Sequence, residues 1–155
     1  MKTFLILGAG TGGTMMANKL AKRLDPDEWK IILVDHDETH YYQPGFLFLP
    51  FGYYEPENIY QPKRKFVPSG VEFVLSDIEL IEPEANKVTL TKDKRVIQYD
   101  QLLIATGTDI HPEEIEGMLE GGWRKNIFDY YTFEGAMALR EFLKNFQGGR
   151  VVLNI

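Results

Sequence analysis

The sequence predicts an α/β domain built on a mostly parallel sheet, with a small antiparallel meander set into it. Three observations carry that expectation. A short apolar run over residues 4–7 leads without a spacer into Gly8-Ala-Gly10-Thr-Gly-Gly13 and then into helix-forming residues as far as Leu24, the order strand, glycine turn, helix. A second apolar run over 30–34 ends on Asp35, 22 positions after Gly13, close to the spacing at which a carboxylate bonds a ribose 2′-hydroxyl. A third run over 101–105 delivers Ala105-Thr106-Gly107 to the sheet edge that holds the glycine turn. The combination is Rossmann-like.

Within the first unit each glycine has its own physical reason. Gly8 allows the tight turn, Gly10 lacks the Cβ that would hold a pyrophosphate off the backbone, and Gly13 lets the helix pack close to the strand. Free N–H groups of the first helical turn then face the phosphates, where the helix dipole favours negative charge. With Asp35 reading an unphosphorylated adenosine ribose, the ligand is FAD or NAD rather than NADP. Asp25-Pro26-Asp27 stops the helix, so residues 1–35 form one βαβ unit with a right-handed crossover.

Residues 36–54 are rich in aromatics and punctuated by proline and glycine, with neither a helical nor a strand period. Such a segment fits a wall for a flat aromatic cofactor or, equally, a cover for a sheet edge. A short helix is expected over 58–66. Its Lys63, Arg64 and Lys65 fit a solvated face, with contact to a cofactor phosphate as the alternative. Ser69-Gly70 turns the chain into one strand over 71–81. Pro83, Asn86 and Asp93 then mark the turns of a meander through 87–91 and 95–98. Acidic, glycine-rich residues 111–124 read as a loop, and Tyr131 or Thr132 caps a helix over 133–146 that Gly148-Gly149 ends. A further strand is expected over 150–155.

Composition narrows the function classes. The 155 residues carry a net charge of −6, which speaks against nucleic acid as a partner, since phosphate binding needs concentrated positive charge. Cysteine is absent. These residues therefore hold no disulfide, thiolate metal site or thiol redox centre, and redox chemistry must come from a cofactor or from residues outside them. No run approaches the 18 or so apolar residues of a membrane span. Met1-Lys2-Thr3 enters the first strand directly and leaves no room for a signal peptide, so an intracellular start is expected. His36, His40 and His111 lack the spacing and carboxylate support of a metal site, and no metal is expected.

The glycine turn at 8–13, Asp35, Tyr41-Tyr-Gln-Pro-Gly45, the meander and Ala105-Thr106-Gly107, in that order, resemble the FAD-binding half of the two-dinucleotide-domain flavoproteins. Within them the chain most resembles sulfide:quinone oxidoreductases and their relatives, which include flavocytochrome c sulfide dehydrogenase and type II NADH:quinone dehydrogenase. The resemblance implies FAD, with Gly8, Gly10, Thr11, Gly12 and Gly13 around its pyrophosphate and Asp35 on its adenosine ribose. It places His36 beside the adenine, with Asp77 or Ile78 touching the adenine through the backbone. Ala105, Thr106 and Gly107 would approach the centre of the cofactor, and Pro44 and Gly45 would border the isoalloxazine.

In the NADH-using relatives a second glycine fingerprint follows where this chain has Asn154 and Ile155, which ranks sulfide above NADH as the electron donor. On this resemblance residues 1–149 form the FAD-binding domain and 150–155 the first strand of a truncated second domain. The chain would contain no catalytic residue. Sulfide-oxidising cysteines, the quinone pocket and a membrane-binding segment would lie beyond Ile155, making the whole protein a peripheral membrane oxidoreductase. The apolar side chains of the last strand would lack their cover, so a homo-oligomer is expected. The alternatives are a type II NADH:quinone dehydrogenase and a non-catalytic FAD-binding module.

Overall fold

The computed structural model describes residues 1–154. They fall into two compact units, one of residues 1–40 and 61–108, the other of 41–60 and 109–154.

The first unit begins with β1 (Lys2–Leu7), α1 (Thr11–Ala21) and β2 (Trp29–Asp35). It ends with β5 (Val71–Leu75), an antiparallel meander of β6 (Ile78–Glu82), β7 (Lys87–Leu90) and β8 (Val96–Gln98), and β9 (Gln101–Ile104). Two short strands, β3 (Thr39–Tyr41) and β4 (Tyr60–Pro62), pair where the chain leaves this unit and returns to it. The main sheet has the order β5-β2-β1-β9 and is parallel throughout.

Parallel sheets are covered on both faces, and the central runs Phe4–Leu7 and Ile31–Val34 are continuously apolar for that reason. Register decides which side chain goes where. Leu5 lies beside Ile32 and Leu7 beside Val34, so these four share a face, and Val88, Leu90, Ile97 and Tyr99 of the meander segment pack on them. Ile6 lies beside Leu33 on the opposite face, where both meet Ala17 of α1. The meander thus occupies one face of the sheet and the helix the other, as expected of an insertion after a βαβ unit.

In the second unit α2 (Phe133–Lys144) packs on two short 3₁₀ turns, Gln43–Leu47 and Leu49–Phe51. Phe46, Leu49, Ile59 and Ala136 are the buried centre, with Tyr41, Phe133 and Met137 around them. Thr132 is the N-cap, its hydroxyl oxygen accepting from the Gly135 N–H at 3.0 Å. The Asp129 carboxylate holds that cap in place by accepting from the Thr132 N–H at 2.7 Å and the Thr132 hydroxyl at 2.8 Å.

Four expectations are corrected. Residues 58–66 do not form a helix, because Pro62 interrupts any helical ladder and the segment resolves into β4 and a 3₁₀ turn over Lys63–Lys65. The single strand over 71–81 is two, split where the Ser76 N–H bonds the Asp35 carbonyl at 2.8 Å and its hydroxyl bonds the Asp77 carbonyl at 2.9 Å. The second helix ends at Lys144, not at 146, on an Asn145 C-cap. Residues 150–154 carry no strand. Among the described residues no neighbour offers this segment a ladder, and an extended run without one leaves Val151, Val152 and Leu153 exposed. Ile155 lies outside the described residues.

Candidate functional site

The carboxyl ends of β1, β2 and β9 converge, which is where an open α/β sheet presents its ligand crevice. The Gly8 N–H bonds the Val34 carbonyl at 2.8 Å, and the Ala105 N–H bonds the Leu7 carbonyl at 2.7 Å. Gly8 has a φ of +95°, and a Cβ there would run into the Ala105 carbonyl, so the position needs glycine for both its turn and its neighbour. A Cβ on Gly13 would strike the Gly8 carbonyl. The helix therefore touches the turn through a missing side chain.

Gly10 is different. It is the N-cap of α1, and nothing lies within 4 Å of where its Cβ would stand. No side chain caps this helix end and no acidic residue sits in its first turn. The first-turn amides, those of Thr11, Gly12 and Gly13, thus have no intrahelical acceptor and sit at the positive end of the helix dipole. That is a cradle of donors beside open space, and it fits a pyrophosphate.

Asp35 stands at the end of β2 with its side chain only 8% exposed. Its Oδ2 accepts from the Ala9 N–H, and its Oδ1 from the Asp37 N–H at 2.9 Å and from Lys63 Nζ at 2.8 Å. Burial works to raise this carboxyl. The three hydrogen bonds and the Lys63 charge outweigh burial and hold it below its ordinary value. Lys63 is as buried as its partner, which overturns the solvated-face reading for this residue, while Arg64 and Lys65 are exposed. Beside the pair stands His40, pushed down by burial and by the Lys63 charge, with the Ala9 backbone and Asp35 acting the other way. Its Nδ1 is buried without a partner.

The structure thus brings Gly8, Gly10, Thr11, Gly12, Gly13, Asp35, Ala105 and Thr106 to one edge of the first unit. His36 follows Asp35 and is exposed. Gly107 is exposed with a φ of +78°. Ile78 begins β6 and turns its side chain into the meander core, leaving its backbone as the part that a ligand could meet. Pro44 and Gly45 belong to the second unit. There Gly45 is buried, and a Cβ on it would come within 2.8 Å of Ile59 Cγ2.

Sequence reasoning missed Lys63, His40 and Ser76 as neighbours of Asp35. The one available signal was that residues 63–65 are the only three consecutive cations in the chain, while the acid ending the second strand has no cation within ten residues downstream.

The pattern of the family described as pyridine nucleotide-disulphide oxidoreductase matches residues 2–147. The mitochondrial sulfide:quinone oxidoreductase of Dictyostelium discoideum is 28% identical over 149 residues, which is 96% of this chain and 32% of that protein. A type II NADH:quinone oxidoreductase of Staphylococcus epidermidis is 32% identical over 120 residues, 77% of this chain and 29% of that protein. Among solved structures, the sulfide:quinone oxidoreductase of Aquifex aeolicus matches with a TM-score of 0.77 and 30% identity, covering 93% of this chain and 32% of that one. The chain spans about a third of the length of these relatives.

Proposed function

We propose, for a chain that belongs to the pyridine nucleotide-disulphide oxidoreductase family, that these residues are the FAD-binding portion of a sulfide:quinone oxidoreductase-like enzyme. The cofactor is FAD, as in the flavoproteins that the chain matches. The observation that carries the reading is the uncapped start of α1, with Gly10 facing open space and Gly8 closed against Ala105.

In this reading Gly10, Thr11, Gly12 and Gly13 hold the pyrophosphate, and Asp35 accepts from the adenosine ribose with His36 and the Ile78 backbone beside the adenine. Ala105, Thr106 and Gly107 line the approach to the cofactor's centre. When bound, FAD supplies transfer of an electron pair between donor and acceptor, and the chain's part is to bind and orient it. No cysteine occurs in the 155 residues. Thiols that attack sulfide, and the quinone site, are assigned to parts of the protein outside these residues, as is any membrane-binding segment. Among the described residues no helix is long and apolar enough to cross a membrane. Exposed Val151, Val152 and Leu153 favour a homo-oligomer, and a strictly monomeric species in light scattering would contradict that assignment.

A second reading, a type II NADH:quinone oxidoreductase, is favoured by the 32% identity to the Staphylococcus epidermidis enzyme. The two separate in one experiment. The full-length protein, loaded with FAD and kept free of oxygen, is mixed with sulfide or with NADH while the flavin absorbance is followed. Bleaching by sulfide alone supports the proposal. Bleaching by NADH alone replaces it with the second reading.

A further inference from the structure

Lys63 is a lysine with almost no water around it, in a chain where Arg64 and Lys65 beside it are exposed. Buried charges persist when paired, and the pair here is Asp35. What Asp35 does with its other oxygen is the informative part. Oδ2 takes the N–H of Ala9, the residue between the first two glycines of the turn. Ala9 is itself fully buried. The 3₁₀ turn that carries Lys63 is in turn tied back by the Lys63 N–H to the Glu38 carbonyl at 2.7 Å. A continuous chain of bonds therefore runs from Lys63 through the Asp35 carboxylate to the peptide at the centre of the glycine turn.

We propose that Lys63 is a positioning residue for the pyrophosphate turn, holding the Asp35 carboxylate against the Ala9 N–H so that the turn is set before any dinucleotide arrives. Glycine-rich turns are conformationally free, and a turn that must be ordered on binding gives up affinity. Fixing Ala9 from outside the glycine motif avoids that loss. Lys63 reaches the ligand only through Asp35 and the turn. A carboxylate has about four acceptor positions, and the three donors here leave one on Oδ2 for a ribose hydroxyl. The clamp and the ribose contact are therefore compatible on one side chain. The effect on dinucleotide binding rests on the FAD reading, whereas the clamp itself does not.

The test uses the full chain and two readouts. In the first, amide exchange of the ¹⁵N-labelled chain is followed without ligand. The Ala9 amide should be strongly protected, should lose at least about tenfold of that protection in Lys63→Met while the β1 and β2 amides keep theirs, and should regain most of it in Lys63→Arg. Unchanged Ala9 protection in Lys63→Met overturns the clamp. Should that variant not fold, ¹³C NMR of Asp35 in the unmodified chain decides: a carboxyl titrating below its ordinary range supports the pair, and one titrating at or above that range overturns it. In the second readout, FAD titration should show binding about tenfold weaker in Lys63→Met and near normal in Lys63→Arg. Equal FAD affinity in the unmodified and Met chains overturns the positioning role. An unmodified chain that ignores FAD contradicts the FAD reading instead, and the exchange experiment still judges the clamp.

Discussion

In the first unit the charged pair Lys63–Asp35 sits inside and aliphatic side chains are covered on both faces of the sheet. In the second unit the aromatic side chains of Tyr42, Phe48, Phe51 and Tyr53 face outward and the Arg140–Glu55 pair, at 2.7 Å, includes an exposed carboxylate. The difference teaches which kind of order a local pattern can specify. A parallel sheet covered on both faces imposes continuous apolar runs on its central strands. Short 3₁₀ turns around a small aromatic centre impose almost none.

The sharpest way to break the comparison is to truncate one leucine in each unit. Leu33 is fully buried between the sheet and α1, and Leu33→Ala should cost about 3–5 kcal/mol in urea unfolding. Leu47 is half exposed, and Leu47→Ala should cost less than about 0.5 kcal/mol. Similar losses from both would mean that Leu47 is packed as tightly as Leu33, contrary to its exposure.

Next in size is the interior charge. Asp35→Ala removes the acceptor for Ala9 and, in the FAD reading, the one proposed for the ribose. It should weaken FAD binding by about 1.5–3 kcal/mol, read by titration. An unchanged affinity would remove Asp35 from the site. Thr132→Ala probes a polar network of the second unit, and should lower stability by about 1 kcal/mol through loss of the cap. A melting temperature equal to the unmodified chain's would show that the cap adds nothing measurable to stability.

The smallest expected effect is in pH, and the loss of stability on acidification comes from the first unit, against the raised histidine of the exposed His111–Glu113 pair in the second. Asp35 titrates lower in the folded state than in the unfolded one, so its contribution is fully present above the ordinary carboxylate value and is lost as pH falls through the folded value. His40 is also lowered. The unfolded chain therefore binds a proton more readily, and stability declines as pH drops below the ordinary histidine value of about 6.5. Thermal melts from pH 7 to 5 should show a decline that is smaller in His40→Phe. A decline of equal size in both would assign the pH dependence elsewhere.

These contrasts show what was legible. The strand, the glycine turn and the helix follow from residues close in sequence, and so does the need for no side chain at Gly8 and Gly13. The meander was legible from Pro83, Asn86 and Asp93, turn-forming residues at the right intervals. Lys63 was not, because nothing beside a lysine in sequence says that a carboxylate 28 positions earlier will bury it. The split at Ser76 was hidden for the same reason, since its backbone partner is the Asp35 carbonyl. Residues 150–154 had the composition of a strand, yet strand formation is a property of a pair.

The central claim is that the glycine turn of the first unit is a pyrophosphate cradle, and Gly10 tests it most directly. With φ at −70° and no atom within 4 Å of its absent Cβ, Gly10→Ala should leave the fold intact and obstruct only a bound phosphate. FAD is titrated into both chains while flavin fluorescence is followed. The account predicts saturable binding to the unmodified chain and at least about tenfold weaker binding to Gly10→Ala. Equal affinity in the two chains would contradict it.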